Sequence, residues 1–307
     1  MTIQNYSKVA VLLATYNGSL WLPEQVDSIL SQISVEVFLF VSDDRSIDDT
    51  FSYLSHLAEL NPHIKILPGK VKFGSSGKNF YRLIQDVDIS GFDFIAFADQ
   101  DDIWEPDKLI HHIKLAREHL ADGVSSNVIA FWSNGKEKLI IKSESQKKLD
   151  FLFESAGPGC TYLMTPWLVY KLREQLQNKY SLANEVASHD WLTYAVCRAY
   201  GHKWIIDSRP SVRYRQHQSN AIGANSGFIA KLARLKKIKQ GWYRAEVIKI
   251  CQVTALISGN SKIKKIGSLL TIKNFSSQIG LISYIGLLRR NVFDRFVLSC
   301  LIIFFVF

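Results

Sequence analysis

"DFIAFADQDDIW" (residues 93–104) sets an apolar run directly ahead of three carboxylates, Asp99, Asp101 and Asp102, crowded into four positions. A continuous apolar run of this length suits a strand buried on both faces of a parallel sheet. The carboxylates after it repel one another and resist burial unless something positive joins them. The stretch therefore predicts a buried strand that opens at its carboxyl end onto a polar site, with a divalent cation as the natural partner.

The pattern repeats on the amino-terminal side. "KVAVLLATYN" (8–17) reads as a strand and turn, and "WLPEQVDSILSQ" (21–32) as a helix with Trp21, Val26, Ile29 and Leu30 on one face. "VEVFLFVSDD" (35–44) and "DDTFSYLSHLAEL" (48–60) form a second strand and helix, "HIKILPG" (63–69) and "KNFYRLIQDV" (78–87) a third pair. After the fourth strand comes "PDKLIHHIKLAREHL" (106–120), a helix with Pro106 at its start. Strands alternating with helices call for a doubly wound, mostly parallel sheet that binds ligands at the carboxyl ends of its strands. Those ends carry Thr15-Tyr16-Asn17, Asp43-Asp44 and Asp99-Gln100-Asp101-Asp102. Any one of the aspartates alone would also serve as a helix cap.

Beyond residue 120 the pattern loosens. "NVIAFWS" (127–133) suits a strand, "GPGCTYLMT" (157–165) a glycine-rich approach to another, and "ASHDWLTYAVCRAYG" (187–201) a helix with His189 and Asp190 in its first turn. "HKWIIDS" (202–208) and "SVRYRQH" (211–217) read as two further strands, the second ending on His217.

The 307 residues, 47% apolar and 21% charged, describe a globular chain, and a formal charge of +9 points to anionic partners such as nucleotides, phosphates or a lipid surface. The run "VAVLLA" after Lys8 is too short for a secretory signal. Four scattered cysteines (Cys160, Cys197, Cys251, Cys300) have no metal-ligand spacing and read as buried thiols of a reducing compartment. From Phe228 onward only Glu246 and Asp294 are acidic, while Lys and Arg gather in "KLARLKKIK" (231–239), "KIKK" (262–265) and "RRNVFDR" (289–295). The closing "FVLSCLIIFFVF" (296–307) is 12 residues long, short of the about 20 needed to cross a bilayer. A basic, amphipathic helical region lying on a membrane is one reading of this end. A helical layer packed on the rest of the fold is the other.

Asp-x-Asp after a strand suits a hard cation, Mg²⁺ or Mn²⁺, shared with a diphosphate. An EF-hand is excluded, because Trp104 stands where that loop requires Gly. A Walker loop is excluded as well, since "GSSGKN" (74–79) lacks its spacing; Gly74 to Gly77 either let backbone N–H groups approach an anion or simply turn into a helix. Asp190 either complements a helix dipole or, if it faces the rim, accepts a proton from an attacking hydroxyl. His217 is either a core histidine or a cation ligand. His111 and His112 lie beyond the rim, without a role.

Taken together, "LLATYNGSLWLPEQVDSIL", "VSDDRSIDDT", "FGSSGKNFYRLI", "FADQDDIWEPDKL", "GPGCTYL", "SHDWL" and "YRQHQSNAIGAN" resemble the family 2 glycosyltransferases, inverting enzymes of the GT-A fold, and among them the bacterial rhamnosyltransferases of O-antigen and capsule assembly. The motifs run in order from about residue 8 to 225. The resemblance implies that Thr15, Tyr16, Asn17, Asp43, Asp44, Gly74, Lys78, Asp99 and Gln100 hold the nucleotide-sugar donor. It implies that Asp101 and His217 hold the cation, that Asp190 is the general base, and that Gly159, His189 and Trp191 face the acceptor. Arg45 departs from the family's pattern, which has Gly there. On this reading residues 1–226 are the GT-A domain, with a nucleotide half to about 120 and an acceptor half after it, and 227–307 a membrane-associated helical tail. The expected partners are a nucleoside-diphosphate sugar, dTDP-L-rhamnose foremost, a saccharide on a polyprenyl diphosphate, and the anionic inner face of the bacterial inner membrane, with no nucleic acid. A transferase of galactose, glucose or N-acetylglucosamine, or a non-catalytic sugar-nucleotide-binding protein, are the alternatives.

Overall fold

Four apolar runs within the first hundred residues make the parallel part of the sheet: β1 (Ser7–Thr15), β2 (Val35–Asp43), β3 (Ile64–Ile66) and β4 (Phe94–Ala98). The computed structural model describes residues 6–69, 71–217, 240–272 and 274–304. The four strands lie side by side in the order β3-β2-β1-β4. Between them run α1 (Leu22–Leu30), α2 (Thr50–Leu60) and α3 (Ser76–Asp86). Side chains alternate across a strand, so β1 sends Val9, Val11 and Leu13 into one core and Ala10, Leu12 and Ala14 into the other. Both faces are covered, and the run is apolar throughout for that reason.

β4 stops at Ala98, before the acidic stretch. The chain then forms a two-residue strand, β5 (Ile103–Trp104), and α4 (Lys108–His119). Next come β6 (Gly123–Trp132), β7 (Glu137–Ile140), β8 (Leu163–Met164), α5 (Pro166–Gln177), α6 (His189–Ala199) and β9 (Trp204–Gln216). The sheet continues β4-β8-β6-β9-β5, with β7 paired to β6. β8 is antiparallel to both neighbours, β6 and β9 are parallel, and β5 runs antiparallel to β9. The two strands expected over 202–217 are thus one. The irregularity lies in β9 itself: β6 steps from Ser126 to Val128 while β9 runs from Asp207 to Val212, so the stretch holding Pro210 bulges out of the ladder before pairing resumes. α5 was not foreseen, although Thr165 caps it and Pro166 opens it.

The carboxy-terminal part is a helical layer: α7 (Trp242–Ser258), α8 (Ser261–Thr271), α9 (Phe275–Ile282), α10 (Ile285–Leu288) and α11 (Val292–Ile303). Val247, Ile250, Ile263, Ile266, Leu270 and Leu281 are buried in the same apolar core as Leu12 and Phe97. The packed layer is therefore the arrangement present, and "KLARLKKIK" lies outside the described residues. Among those described, no helix is long and apolar enough to cross a membrane. Arg289 and Arg290 do not face outward as a lipid-facing basic cluster would require. Arg290 pairs with Asp150 at 3.3 Å and Glu154 at 3.4 Å and donates to the Ser155 carbonyl at 2.7 Å, while Arg289 donates to the Phe153 carbonyl at 3.0 Å. Asp150 is fully buried, and the guanidinium groups of Arg290 at 3.3 Å and Arg198 at 3.4 Å are what makes its burial tolerable.

Candidate active site

The polar strand ends meet on one rim. At β1 and β2, the Thr15 hydroxyl donates to Asp43 at 2.9 Å, and Asp43 also accepts from the Ser46 amide at 2.8 Å and hydroxyl at 2.6 Å. Asp44 accepts from the amides of Phe73 and Gly74, fixing the loop that leads to α3. The Asn17 side chain accepts from the Ile47 amide at 2.9 Å. Gln100 grips the Tyr16 backbone twice, accepting from its amide at 2.8 Å and donating to its carbonyl at 3.0 Å. Gly18 makes room for this clasp, since a Cβ there would sit 2.4 Å from Gln100 Oε1. Thr15, Asn17, Asp43, Asp44 and Gln100 thus shape the rim, and the Tyr16 ring stands open on it with Lys72 Nζ 4.5 Å above its centre. Gly74 takes a left-handed φ of 74°, Ser75 caps α3, and Lys78 is exposed in its first turn. Arg45 is exposed with a left-handed φ of 61°, which explains the glycine of the family pattern at this turn.

At the acidic stretch, His217 Nε2 lies 2.8 Å from Asp101 Oδ2, and the imidazole stacks on Trp21 at 3.9 Å. Arg215 donates through its amide to Asp102 at 3.1 Å and through Nε to the Asp101 carbonyl at 2.8 Å. Burial, then the charges of Asp101 and Asp190, push the Asp99 carboxyl up to about 8. Burial also raises Asp101, which His217 partly offsets, and drives Asp102 far above the carboxylate range. Behind the cluster lies a positive group that was not foreseen. Lys108 is 1% exposed, its ammonium 3.3 Å over the Trp104 ring, and burial lowers it to about 7 against the pull of Cys160 and Asp102. A lysine in the first turn of a helix looks like a surface residue in sequence, so nothing there announced its burial. Asn79 was also passed over; it donates to the Ser42 carbonyl at 2.8 Å and to the Thr15 carbonyl at 3.4 Å, tying both strand ends to α3.

The acceptor-side residues separate. Asp190, in the first turn of α6, accepts from the Ser188 hydroxyl at 2.8 Å and the Trp191 amide at 2.7 Å, and its charge reaches Asp99 across the rim. Gly159 lies against it and against His189, whose Nε2 would be 2.6 Å from a Cβ. His189 is stacked on Phe80 at 3.8 Å, and burial lowers it to about 4, so it is neutral. Trp191 is 6% exposed and donates its indole N–H to the Phe151 carbonyl at 2.8 Å. Both rings are packed into the body of the fold, leaving Asp190 as the polar group of the "HDW" motif that remains partly open.

The type of donor decides which cation could sit here. Oxygen atoms of Asp99 and Asp102 and the Cys160 sulfur lie within 4.8 Å of one another. Burial holds Cys160 as a thiol, so it offers no thiolate, and a hard ion would be left with the carboxylates. Carboxylate oxygen at Asp101 with the imidazole of His217 beside it fits Mn²⁺ or Mg²⁺.

Residues 10–176 match the model of the family described as glycosyl transferase family 2. The chain belongs to this family. It is 39% identical over 299 residues to the dTDP-rhamnosyl transferase RfbG of Shigella flexneri, covering 96% of this chain and all of that one. Among solved structures, residues 1–349 of Staphylococcus aureus TarS in complex with UDP-GlcNAc share the fold with a TM-score of 0.55 at 16% identity, over 91% of this chain and 80% of that one. A mannosyltransferase of Pyrobaculum calidifontis in complex with GDP-Man and Mn²⁺ does so with a TM-score of 0.52 at 14% identity, over 98% and 86%. The fold is GT-A, and the protein is a glycosyltransferase.

Proposed function

We propose that the enzyme moves L-rhamnose from dTDP-L-rhamnose to a hydroxyl of a saccharide carried on a polyprenyl diphosphate, with inversion at the anomeric carbon. The carrying observation for the sugar is the near full-length likeness to RfbG; for the chemistry, it is the convergence of Asp99, Asp101, Asp190 and His217 on one rim. Tyr16, open on the rim, would stack on the base, and the Thr15–Asp43–Asp44 turn would hold the ribose. Asp101 and His217 would hold Mn²⁺ or Mg²⁺, which supplies charge neutralisation for the diphosphate when bound. The acceptor oxygen attacks the anomeric carbon from the side opposite the nucleotide. Its proton passes to the Asp190 carboxylate as the bond to the diphosphate breaks, and the nucleoside diphosphate leaves with the electron pair. Ser188 and the Trp191 amide occupy one oxygen of Asp190, which fixes the direction of the other.

The lipid-linked acceptor and attachment to the cytoplasmic leaflet find support in the helical layer. α9 and α11, packed together, expose Phe275, Ile279, Phe293 and Phe296, and α8 carries Lys262, Lys264 and Lys265 nearby in sequence. Exposed apolar side chains on a basic segment suit a surface of anionic lipid. Buried free thiols at Cys160, Cys197 and Cys251 agree with a reducing compartment.

The test is nucleoside diphosphate release from dTDP-L-rhamnose and from UDP-linked glucose, galactose and N-acetylglucosamine, with Mn²⁺, with Mg²⁺ and with chelator. Release from the rhamnosyl donor, lost in chelator, is expected. Turnover of a UDP-hexose alone overturns the sugar, and full activity in chelator overturns the cation.

A further inference from the structure

Asp190 stands where α6 begins, so its place on the rim depends on how the chain enters that helix. The entry is residues 183–188, and two elements hold it. From α3, the Tyr81 hydroxyl donates to the Val186 carbonyl at 2.9 Å, and Gly77 lies so close to the Ala187 carbonyl that a Cβ would meet its oxygen at 2.2 Å. From α7, Lys249 donates to the Glu185 carbonyl at 2.8 Å and Glu246 accepts from the Ala187 amide at 2.8 Å. Glu246 and Lys249 also bond each other at 2.7 Å.

Glu246 is 2% exposed, and it is one of only two acidic residues after Phe228. Burying a carboxylate is costly unless charge-assisted hydrogen bonds meet it, and here they do. Its backbone partner, the Ala187 amide, lies just ahead of the amino terminus of α6, where negative charge is favoured. We propose that Glu246 is a positioning residue for Asp190, so that the carboxy-terminal helices complete the transfer site as well as covering the sheet. This rests on the reading of Asp190 as the proton acceptor. The bond from the Ala187 amide to Glu246 sets the entry of α6, and the entry sets where the Asp190 carboxylate meets the acceptor hydroxyl. The donor rim of β1, β2 and β4 does not share these contacts.

The test compares Glu246→Ala, Glu246→Gln and Asp190→Asn in the full-length enzyme, reading kcat, the donor KM and the thermal midpoint. Glu246→Ala is expected to lower kcat at least tenfold with the donor KM within twofold of wild type. Glu246→Gln keeps an oxygen that accepts from the Ala187 amide and should recover at least half of wild-type kcat. If Glu246→Ala does not fold, Lys249→Met, which removes the neighbouring clamp, should lower kcat several-fold with the donor KM unchanged. Wild-type kcat in Glu246→Ala, or in Lys249→Met where that stands in for it, beside an inactive Asp190→Asn, overturns the proposal alone. So does a fall in kcat that Glu246→Gln fails to relieve or that raises donor KM in parallel. Normal transfer by Asp190→Asn overturns the base reading itself.

Discussion

The strand-end rim and the carboxy-terminal helices use charge in opposite ways. On the rim, the carboxylates of Asp43, Asp44, Asp99, Asp101 and Asp102 gather at the strand ends. In the helical layer three ionic groups turn inward: Arg289, Arg290 and Glu246 bond the backbone and carboxylates of the preceding part of the chain, while Phe275, Phe293, Phe296 and the lysines of α8 remain outside. The basic composition left a membrane-lying region and a packed layer both open, and Arg289 and Arg290 turn into the packing. The charge of a segment says what it contains; packing decides which side it shows. The two regions are also linked, because the helical layer holds the entry to α6, which carries Asp190, while β1, β2 and β4 carry the strand ends proposed to hold the donor.

Separating the two ends of the rim gives the largest expected effect. Asp190→Asn keeps the hydrogen bond from Ser188 within reach but removes the proton acceptor, and kcat should fall about 10²–10⁴-fold with donor affinity nearly unchanged. Asp101→Asn should instead abolish the response to Mn²⁺. Steady-state kinetics over a range of metal concentration distinguishes them. Identical phenotypes would break the division into donor and acceptor sides.

Lys108 tests whether the rim maintains its charges at a cost. Its lowered folded value means that stability from this group is present above pH 10.5 and lost as pH falls towards about 7. Lys108→Met removes that burden, and with the stacking on Trp104 set against it, should raise stability by about 2 kcal/mol near neutral pH. Turnover should fall, because the interior charge behind Asp102 is gone. Chemical denaturation at pH 7 and pH 10 checks the sign. A destabilised variant would make the ammonium a net partner of Asp102.

The first hundred residues were legible because strands and helices alternate there, and Thr15, Asp43 and Asp99 fall at the ends of apolar runs. After residue 120 that coupling is lost. β8 is two residues long, β9 reaches back to the two-residue β5 that precedes α4, and neither short strand has a periodicity to read. His217, legible in sequence as the end of a strand, lies 2.8 Å from Asp101, but Lys108, Asn79 and Glu246 are placed by burial, which no spacing announces. His189 and Trp191 carried the right motif and only the fold could place their rings inside. His189 offers a check of that placement. The unfolded imidazole takes up a proton below about 6.5 and the folded one only below about 4, so stability present above 6.5 is lost as pH falls towards 4. Near pH 5.5 the loss should be about 1.4 kcal/mol, and less in His189→Phe, by denaturant titration across that range. A slope that His189→Phe leaves untouched would place the ring in water.

The smallest effect concerns the outer face of the helical layer. If Phe293 and Phe296 dip into the headgroup region, each contributes a fraction of the roughly 1.5–3 kcal/mol that full burial of such a side chain brings. Phe293→Ser with Phe296→Ser should therefore weaken partition onto vesicles of anionic phospholipid about tenfold, without changing turnover of a soluble acceptor. Lysines add an electrostatic contribution of about 1 kcal/mol each near such a surface, and salt weakens that part alone. Flotation at low and high salt thus separates the two. Binding that survives the double substitution but disappears in salt assigns attachment to the lysines. Binding that salt leaves intact and the substitutions remove assigns it to the phenylalanines. If the protein ignores anionic lipid under both conditions, the exposed phenylalanines belong to a different contact, and the contrast between the two regions reduces to packing.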